Sequence, residues 1–569
     1  MDVLRSGRAR LRLAVAAPPN HLSAGRRCER AMAVSNADVA RILEERAEAL
    51  TRDRANPYKV RAYRKAARAI AAFKVPVADL VAAGQDLRQV PGVGEGLAQV
   101  VKAIVEGLHR PDDRPTPGQS ETADEEEDLS RPPDHEQELQ VLEALRDLAL
   151  DKRHIRPLVL PIVHRLAKTL AGAKGVDAVE VVGSIRRGRD TVAGVDLVAM
   201  GDGSAAIAKL RGHRDVTSVL SAGAAKASVL LGKGLHVDLR TTAAEDAGAV
   251  QAWWTGSRAH VERLRALAKD KGLAFSATGL RRDGKPVAAP TEAAFYKTLG
   301  LSVIEPELRE DRGEIEAALA RKLPKLVTLA DLKGDLHTHT DWTDGRSPLK
   351  AMVVEAVARG LRYIAVTDHT PRTSVAGGMA WPRHQQQHKA IDAVNEALEG
   401  AGHKFRLLKG AEVDILKDGR LDLPSKALKE LDVVVASLHF REGQSSNQLT
   451  ARALAAMGTG DAHILGHPSG RLLDKRPPIE HDWTRLIEAA GDQGWAFETD
   501  GQPWRQDLWD TLLQQCKQAG VRVSVSSDAH STAELAYIEN SLVQARRGWL
   551  EKADVLNTRT ADQLLKLLA

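Results

Sequence analysis

Beyond residue 333 apolar positions come in short runs, and helix-patterned stretches separate them. The runs close on GDLH, YIAVTDH, RLLKGAEVDI, LDVVVASLH, HILGHP, WAFETD and VRVSVSSDAH. Strands buried on both faces read this way. Their alternation with helices predicts a parallel sheet that closes or nearly closes. Seven runs predict a (β/α)7 barrel, one strand short of the familiar eight. Upstream, VDAVEVVGS, GVDLVAM, ASVLL and LHVDLRTT read as strands, with helical patterns at 137–172 and 247–275. That mixture predicts an α+β domain. Residues 32–110 predict an all-α domain. MAVSNADVARILEERAEAL reads as a helix capped by Ser35 or Asn36, and PYKVRAYRKAARAIAAF sets basic residues beside an apolar stripe. In LRQVPGVGEGLAQVVKAIVEG, Gly92, Gly94 and Gly96 close a hairpin between two helices. The amides of the second helix then point outward, a sequence-independent grip for phosphate. The fold class is multidomain α/β.

Residues 111–136, PDDRPTPGQSETADEEEDLSRPPDHE, cannot build a core and read as an acidic linker. The first 31 residues are Arg-rich, and their apolar part AVAAPP is short and broken by proline. A disordered extension is expected there, with Met32 the alternative start. The predicted divisions are therefore 1–31, 32–110, 111–136, 137–330 and 333–569. A net charge of +5 and a pI near 9.0 are compatible with a nucleic-acid partner but are small for 569 residues. The only cysteines, Cys28 and Cys516, exclude a disulfide framework and a thiolate zinc site, which fits the cytoplasm. No apolar run approaches the roughly 20 residues of a membrane helix, so no membrane partner is expected.

Chemistry gathers at the ends of the seven apolar runs. They carry His337, His339, Asp344, His369, Glu412, His439, His467, Asp528 and His530. In a β/α barrel these ends meet at one mouth. Imidazole nitrogen and carboxylate oxygen suit Zn, Mn or Fe, and nine ligands exceed the needs of one or two ions, so three divalent ions are expected. Such ions activate water and clamp the oxygens of a phosphate ester, which predicts a metal-dependent phosphoesterase. Arg346, Arg471 and Arg505 are candidate phosphate clamps.

A second pattern is GSIRRGRDTVAGVDLVAM, Gly183 to Met200. A tight Gly-Ser turn lets amides approach a triphosphate, and Arg186 and Arg187 can offset its charge. On the strand that follows, positions 194 and 196 share a face. A two-metal site wants both acidic, with ions roughly 3.5–4 Å apart. Here the pair is Gly194 and Asp196. An aspartate at 194 is expected to fit if the backbone is extended, and Asp190 is another acid that could complete the site.

The nine strand-end residues resemble the PHP (polymerase and histidinol phosphatase) family over 333–569. The resemblance implies a distorted seven-stranded barrel with three ions. His337, His339, Glu412 and Asp528 would hold one. Glu412 would bridge to a second on His439 and His467, and Asp344, His369 and His530 would hold the third. Over 32–330 the chain resembles DNA polymerase family X in its bacterial form with a C-terminal PHP domain. The marks are PGVGEG, GSIRRGRDT, HVDLR with Asp238, and WWTGSRAH from Trp253 to His260. This implies gapped DNA or DNA 3′ ends and a dNTP as partners, short-gap synthesis in repair, and a 3′–5′ exonuclease in the PHP domain. Asp196 and Asp238 match the second and third of three catalytic aspartates that bind Mg or Mn. Ser184, Arg187 and Gly256 match nucleotide-binding positions, and Trp253 and Trp254 match an aromatic pair under the sugar.

Three departures stand out. Gly194 replaces the first aspartate, Val261 replaces an asparagine at the base edge, and no second glycine hairpin precedes the palm. They predict that polymerisation is impaired or lost while phosphodiester hydrolysis persists. The competing readings are a working gap-filling polymerase, a small-molecule phosphatase of histidinol phosphatase type, and a non-catalytic DNA-end binding protein.

Overall fold

The computed structural model describes residues 35–52, 57–73, 75–83, 85–90, 93, 95–105 and 153–569. The readings made for 1–31, for the linker 111–136, for the helical pattern at 137–152 and for Gly92 and Gly94 lie outside them. The chain divides into two compact units, Met1–Arg131 and Pro132–Ala569.

In the first unit, helices α1 (Asn36–Arg52), α2 (Pro57–Ala72), α3 (Val77–Ala82) and α4 (Glu95–Val105) enclose Val39, Leu43, Ile70, Val77, Val101 and Ile104. Gly96 is the second residue of α4. Of the two expected caps, Ser35 takes the role at α1. The Ser35 hydroxyl accepts the Asp38 N–H at 3.2 Å, and the Asp38 carboxylate accepts the Ser35 N–H at 3.2 Å. Asn36 instead ties α1 to the α2–α3 corner, donating to Phe73 O at 2.9 Å and accepting from Val77 N at 2.7 Å.

The second unit contains a five-stranded sheet: β1 (Val176–Val182), β2 (Gly194–Gly201), β3 (Val216–Ala222), β4 (Lys226–Leu231) and β5 (Leu235–Thr242), in the order β1-β2-β5-β4-β3. The pair β2–β5 is parallel and the others are antiparallel. Strand β3 escaped prediction because it is a half-exposed edge strand without clean alternation. Val195, Leu197 and Ala199 enter a core with α5 (Arg156–Ala171) and α6 (Gly203–Arg211). By the period-two rule Gly194, Asp196 and Val198 face the other way, where Val198 packs with Val182 and Val250. Helices α7 (Ala247–Thr255) and α8 (Arg258–Asp270) follow. A small antiparallel sheet of β6 (Ala274–Ser276), β7 (Gly279–Arg282) and β8 (Lys285–Pro286) comes next. These elements share a core around Leu264, Phe275, Phe295 and Leu299.

The barrel consists of β9 (Gly334–Thr338), β10 (Tyr363–Val366), β11 (Arg406–Asp414), β12 (Val433–Ser437), β13 (Ile464–Gly466), β14 (Ala496–Asp500) and β15 (Val523–Ser526). All six neighbouring pairs are parallel and run in chain order. A parallel bridge from Thr338 to Ala529 nearly closes the ring. Leu336, Ala365, Leu408, Val435 and Ile464 fill the space beneath the mouth.

Candidate metal centre and palm carboxylates

The strand ends bring all nine predicted barrel residues into one cluster. Glu412 lies inside β11, two residues before its end, and its buried carboxylate is the hub. Its oxygens stand 3.4 Å from His337 Nε2, 3.6 Å from His339 Nε2 and 3.0 Å from His369 Nδ1. They also stand 2.9 Å from His439 Nε2 and 2.8 Å from His467 Nε2. Asp528 lies 3.1 Å from His339 and 3.6 Å from His337. Asp344, on the loop after β9, is 3.5 Å from His369 and 3.4 Å from His530.

Three sets have their ligand atoms within 4.8 Å of one another: His339, Asp344, His369 and His530; His337, His339 and Asp528; and His369, Glu412 and His439. The sets overlap at His339 and His369, a sharing that the expected three-way division did not contain. Buried His337 Nε2, both nitrogens of His339 and His369 Nδ1 have no hydrogen-bond partner of good geometry. Unpartnered imidazole nitrogens facing carboxylates fit divalent cations.

Further residues set the ring orientations. His337 Nδ1 meets Glu498 Oε1 at 2.8 Å, His439 Nδ1 meets Asp414 Oδ1 at 3.0 Å, and His530 Nδ1 meets Asp528 O at 2.9 Å. Each contact occupies one ring nitrogen and turns the other inward. Asp368 accepts from Thr340 N at 2.9 Å and from the Thr343 hydroxyl, which braces the loop carrying His369. Sequence reading missed Glu498, Asp414 and Asp368. A signal was present for Asp414, an acid two residues beyond Glu412 and so on the same strand face.

The charges are mutually dependent. Burial alone would keep His369 neutral, but Glu412 and Asp344 raise it to about 10. Burial likewise opposes charge on His439, which Glu412 and Asp414 raise to about 9. His339 is pushed down to about 3 by burial and by neighbouring His530 and His369. Burial would raise Glu412, yet His439, His369 and His337 hold it well below the ordinary range. These buried carboxylates demand positive charge in the mouth.

The palm is a different kind of site. Asp196 and Asp238 are register partners on parallel β2 and β5. Arg240 bridges them, donating to each carboxylate at 2.9 Å, and its guanidinium lies 3.5 Å from the Trp254 ring centroid. Ser228 donates to Asp238 at 2.6 Å and stands 2.7 Å from His236 Nε2. Burial and the Asp238 charge raise Asp196, with Arg240 opposing them. A Cβ at Gly194 would lie 3.1 Å from His236 O and 3.2 Å from its Nδ1. The easy fit expected for an aspartate there is therefore corrected: the position is tight, and the imidazole occupies its approach.

Other predicted side chains are also engaged. Gly183 opens the single helical turn Gly183–Arg186 with φ +70, and Ser184 is part of that turn. Arg187 donates to Glu310 at 3.0 Å and to Thr255 O at 2.8 Å. Gly256 follows α7, and a Cβ there would crowd His260 and Val261. Trp253 packs edge-on against Phe275 at 5.1 Å. Asp190 does not complete the palm site, because it pairs with Arg471 at 3.0 Å. Arg471 thereby bridges palm and barrel, also donating to Arg505 O at 2.8 Å. Arg346 is paired with Glu534. Arg505 lies at the mouth, 3.3 Å from Asp500 and 3.6 Å from Asp528.

Three families match the chain: a helix-hairpin-helix domain over residues 34–109, a DNA polymerase beta thumb over 250–310 and a PHP domain over 335–499. The DNA polymerase/3'-5' exonuclease PolX of Bacillus subtilis is 30% identical over 564 residues, 92% of this chain and 97% of that protein. A probable phosphatase of Caldanaerobacter subterraneus is 30% identical over 219 residues, 37% of this chain and 80% of that protein. A probable phosphatase of Thermoanaerobacter sp. is 29% identical over 235 residues, 39% of this chain and 89% of that protein. The matched helix-hairpin-helix and polymerase thumb domains imply DNA binding, and the PHP domain with its His/Asp clusters implies the use of divalent metal. No helix among the described residues is long and apolar enough to cross a membrane. On the full-length match and the three domains it contains, the chain belongs to the bacterial PolX family, the family X DNA polymerases that carry a PHP domain.

Proposed function

We propose that this protein acts in DNA repair by hydrolysing phosphodiesters at DNA 3′ ends in its PHP domain, and that its polymerase activity is impaired. The contrast between its two acidic sites carries the reading. In the barrel, nine ligand-type side chains, Glu412 among them, form one cluster, and several buried imidazole nitrogens lack a hydrogen-bond partner. In the palm, two aspartates are bound to Arg240, and Gly194 supplies no third.

The nine barrel residues would hold three ions of Mn, Zn or Fe. Such ions supply Lewis acidity and charge neutralisation for phosphate ester cleavage when bound. Glu498 and Asp414 keep the His337 and His439 rings turned inward. Arg505, partly exposed beside Asp528, would meet the substrate phosphate. Helices within 32–110 would grip DNA through its phosphates, with the hairpin glycines at the contact. In the palm, Asp196 and Asp238, both bound to Arg240, would hold Mg or Mn, which would supply charge neutralisation, and Ser184, Arg187 and Gly256 would bind the nucleotide.

The test is a paired assay on gapped DNA with Mn²⁺, following 3′-end degradation and single-nucleotide insertion. Degradation without robust insertion is expected, and robust insertion would establish a working gap-filling polymerase. A second reading, a small-molecule phosphatase, draws on the probable phosphatases that match the barrel region. The helix-hairpin-helix match favours DNA, and relative rates on a phosphorylated metabolite and on a DNA 3′ end separate the two. A metal count on the purified protein separates either from a silent DNA-end scaffold.

A further inference from the structure

Of the nine tryptophans in the chain, only Trp504 is exposed, at 38%. A lone exposed apolar side chain is ordinary. This one stands at the rim of the metal centre, on the loop that follows β14. Two of its loop neighbours hold Asp528: Gln502 Nε2 donates to Asp528 O at 2.6 Å, and Arg505 Nε lies 3.6 Å from the Asp528 carboxylate. Trp504 is bonded to Arg505, so their Cα atoms are about 3.8 Å apart.

The loop after β13 fixes Trp504 from the other side. Leu473 N donates to Trp504 O at 2.7 Å, and Arg471 Nε to Arg505 O at 2.8 Å. Leu472 and Arg476 exchange backbone hydrogen bonds at 2.9 and 2.7 Å. The tight turn between them brings Lys475 Nζ to 4.5 Å from the Trp504 ring centroid. Lys475 has no ion-pair partner among the described residues. Backbone and cation thus hold the indole in place before a ligand arrives, so little ordering entropy remains to be lost on binding.

Two other aromatic–cation pairs lie at the mouth. Phe440, next to His439, has Arg372 at 5.2 Å, and Arg372 is paired with Glu442. Trp342, two residues before Asp344, has Arg383 at 5.8 Å, and Arg383 donates to Trp342 O at 3.2 Å. Both of those rings are partly buried and both cations are engaged. Of the three pairs, only Trp504–Lys475 combines an open ring with an unpaired cation. That combination suits a nucleotide. Every base offers a π-face for stacking, and an ammonium beside the ring meets the phosphate charge.

We infer that Trp504 stacks on the terminal base of the strand whose 3′ end enters the metal centre, with Lys475 beside its phosphate. The pair thereby favours a nucleotide end over a small phosphate ester. The inference rests on the proposed hydrolysis of DNA 3′ ends. The test uses the full chain with Mn²⁺ and follows release of the 3′-terminal unit from two oligonucleotides. One ends in adenosine, and the other ends in a stable abasic sugar. For the wild type, KM is expected to be roughly tenfold lower on the adenine end, the scale of one base–aromatic stack. Trp504→Leu keeps an apolar side chain without a π-face. It is expected to raise KM on the adenine end to the abasic level, with kcat altered less, whereas Trp504→Phe keeps most of the preference. Lys475→Gln is expected to flatten the salt dependence of KM, through loss of one phosphate contact. A ring that only braces the two loops would lower the melting temperature in Trp504→Leu and leave the adenine-to-abasic ratio unchanged. An unchanged ratio overturns the inference at any melting temperature, and Trp504→Gln carries the same comparison if the leucine variant does not fold. An unchanged salt slope in Lys475→Gln overturns the part assigned to the lysine. A wild type that releases nothing from either end overturns the proposed DNA hydrolysis as well, which separates that failure from loss of the stacking role alone.

Discussion

Gly194 and His236 oppose each other in register across parallel β2 and β5, and the imidazole Nδ1 stands 3.2 Å from where a Cβ at 194 would lie. Restoring an acid at 194 therefore meets a side chain as well as a missing charge. Gly194→Asp alone is expected to destabilise the protein by about 1–3 kcal/mol, the usual cost of overpacking. Combining it with His236→Ala should recover most of that loss and tighten Mn²⁺ binding at the palm. The measurements are the melting temperature and metal titration, in a background where the PHP centre is disabled by Asp528→Ala. Equal metal affinity with Gly194 and with the double variant would mean this face is not a metal site.

The second prediction concerns the barrel. His339→Ala or Asp528→Ala should abolish Mn²⁺-dependent degradation of DNA 3′ ends, because each removes a group at the heart of the cluster. Gly194→Ala should leave degradation intact. Nuclease activity persisting in the cluster variants would move the active site elsewhere.

Ring orientation gives a third. Asp414→Asn and Glu498→Gln keep the shape but weaken the holds on His439 and His337. Each is expected to lower metal affinity about 10–100-fold without unfolding the barrel. Calorimetric metal titration reads the change, and unaltered affinity in both variants would remove these acids from the site.

A fourth follows from Glu292. Burial would raise its pKa, but Arg309 and Arg186 hold it down at about 2, against an ordinary value of 4.5. Arg186 meets it at 2.9 and 2.6 Å. A depressed carboxylate contributes stability above its unfolded pKa and loses it as pH falls through the folded value. The contribution, on the order of 3 kcal/mol, should therefore be complete above about pH 5 and fade toward pH 2. Denaturant unfolding of wild type and Glu292→Gln should differ most near neutrality and converge in acid.

The fifth concerns DNA. If the basic helices of 32–110 bind phosphates, affinity of the full chain for DNA should fall steeply and log-linearly with salt, with little sequence preference. Fluorescence anisotropy over a salt series tests it. A flat dependence would leave PGVGEG as a structural turn.

The barrel and its cluster were legible in the chain because strand periodicity is local. An apolar run ends, the next residues must leave the sheet, and a barrel collects those ends at one mouth, so His337 and Asp528 could be placed together across 190 intervening residues. Alternation along GVDLVAM likewise placed Val195 in the core and Asp196 on the opposite face. The destinations of the long cations were not legible. An arginine can reach several ångströms in many directions, and its partner is whichever acid the folded backbone brings near. Thus Arg471 reaches Asp190, and Arg240 spans Asp196 and Asp238. The register of β2 against β5 was equally hidden, since one residue of slip would exchange every facing pair. Only that register sets His236 over Gly194, and only the joining of palm and barrel buries Arg156 beside Arg547.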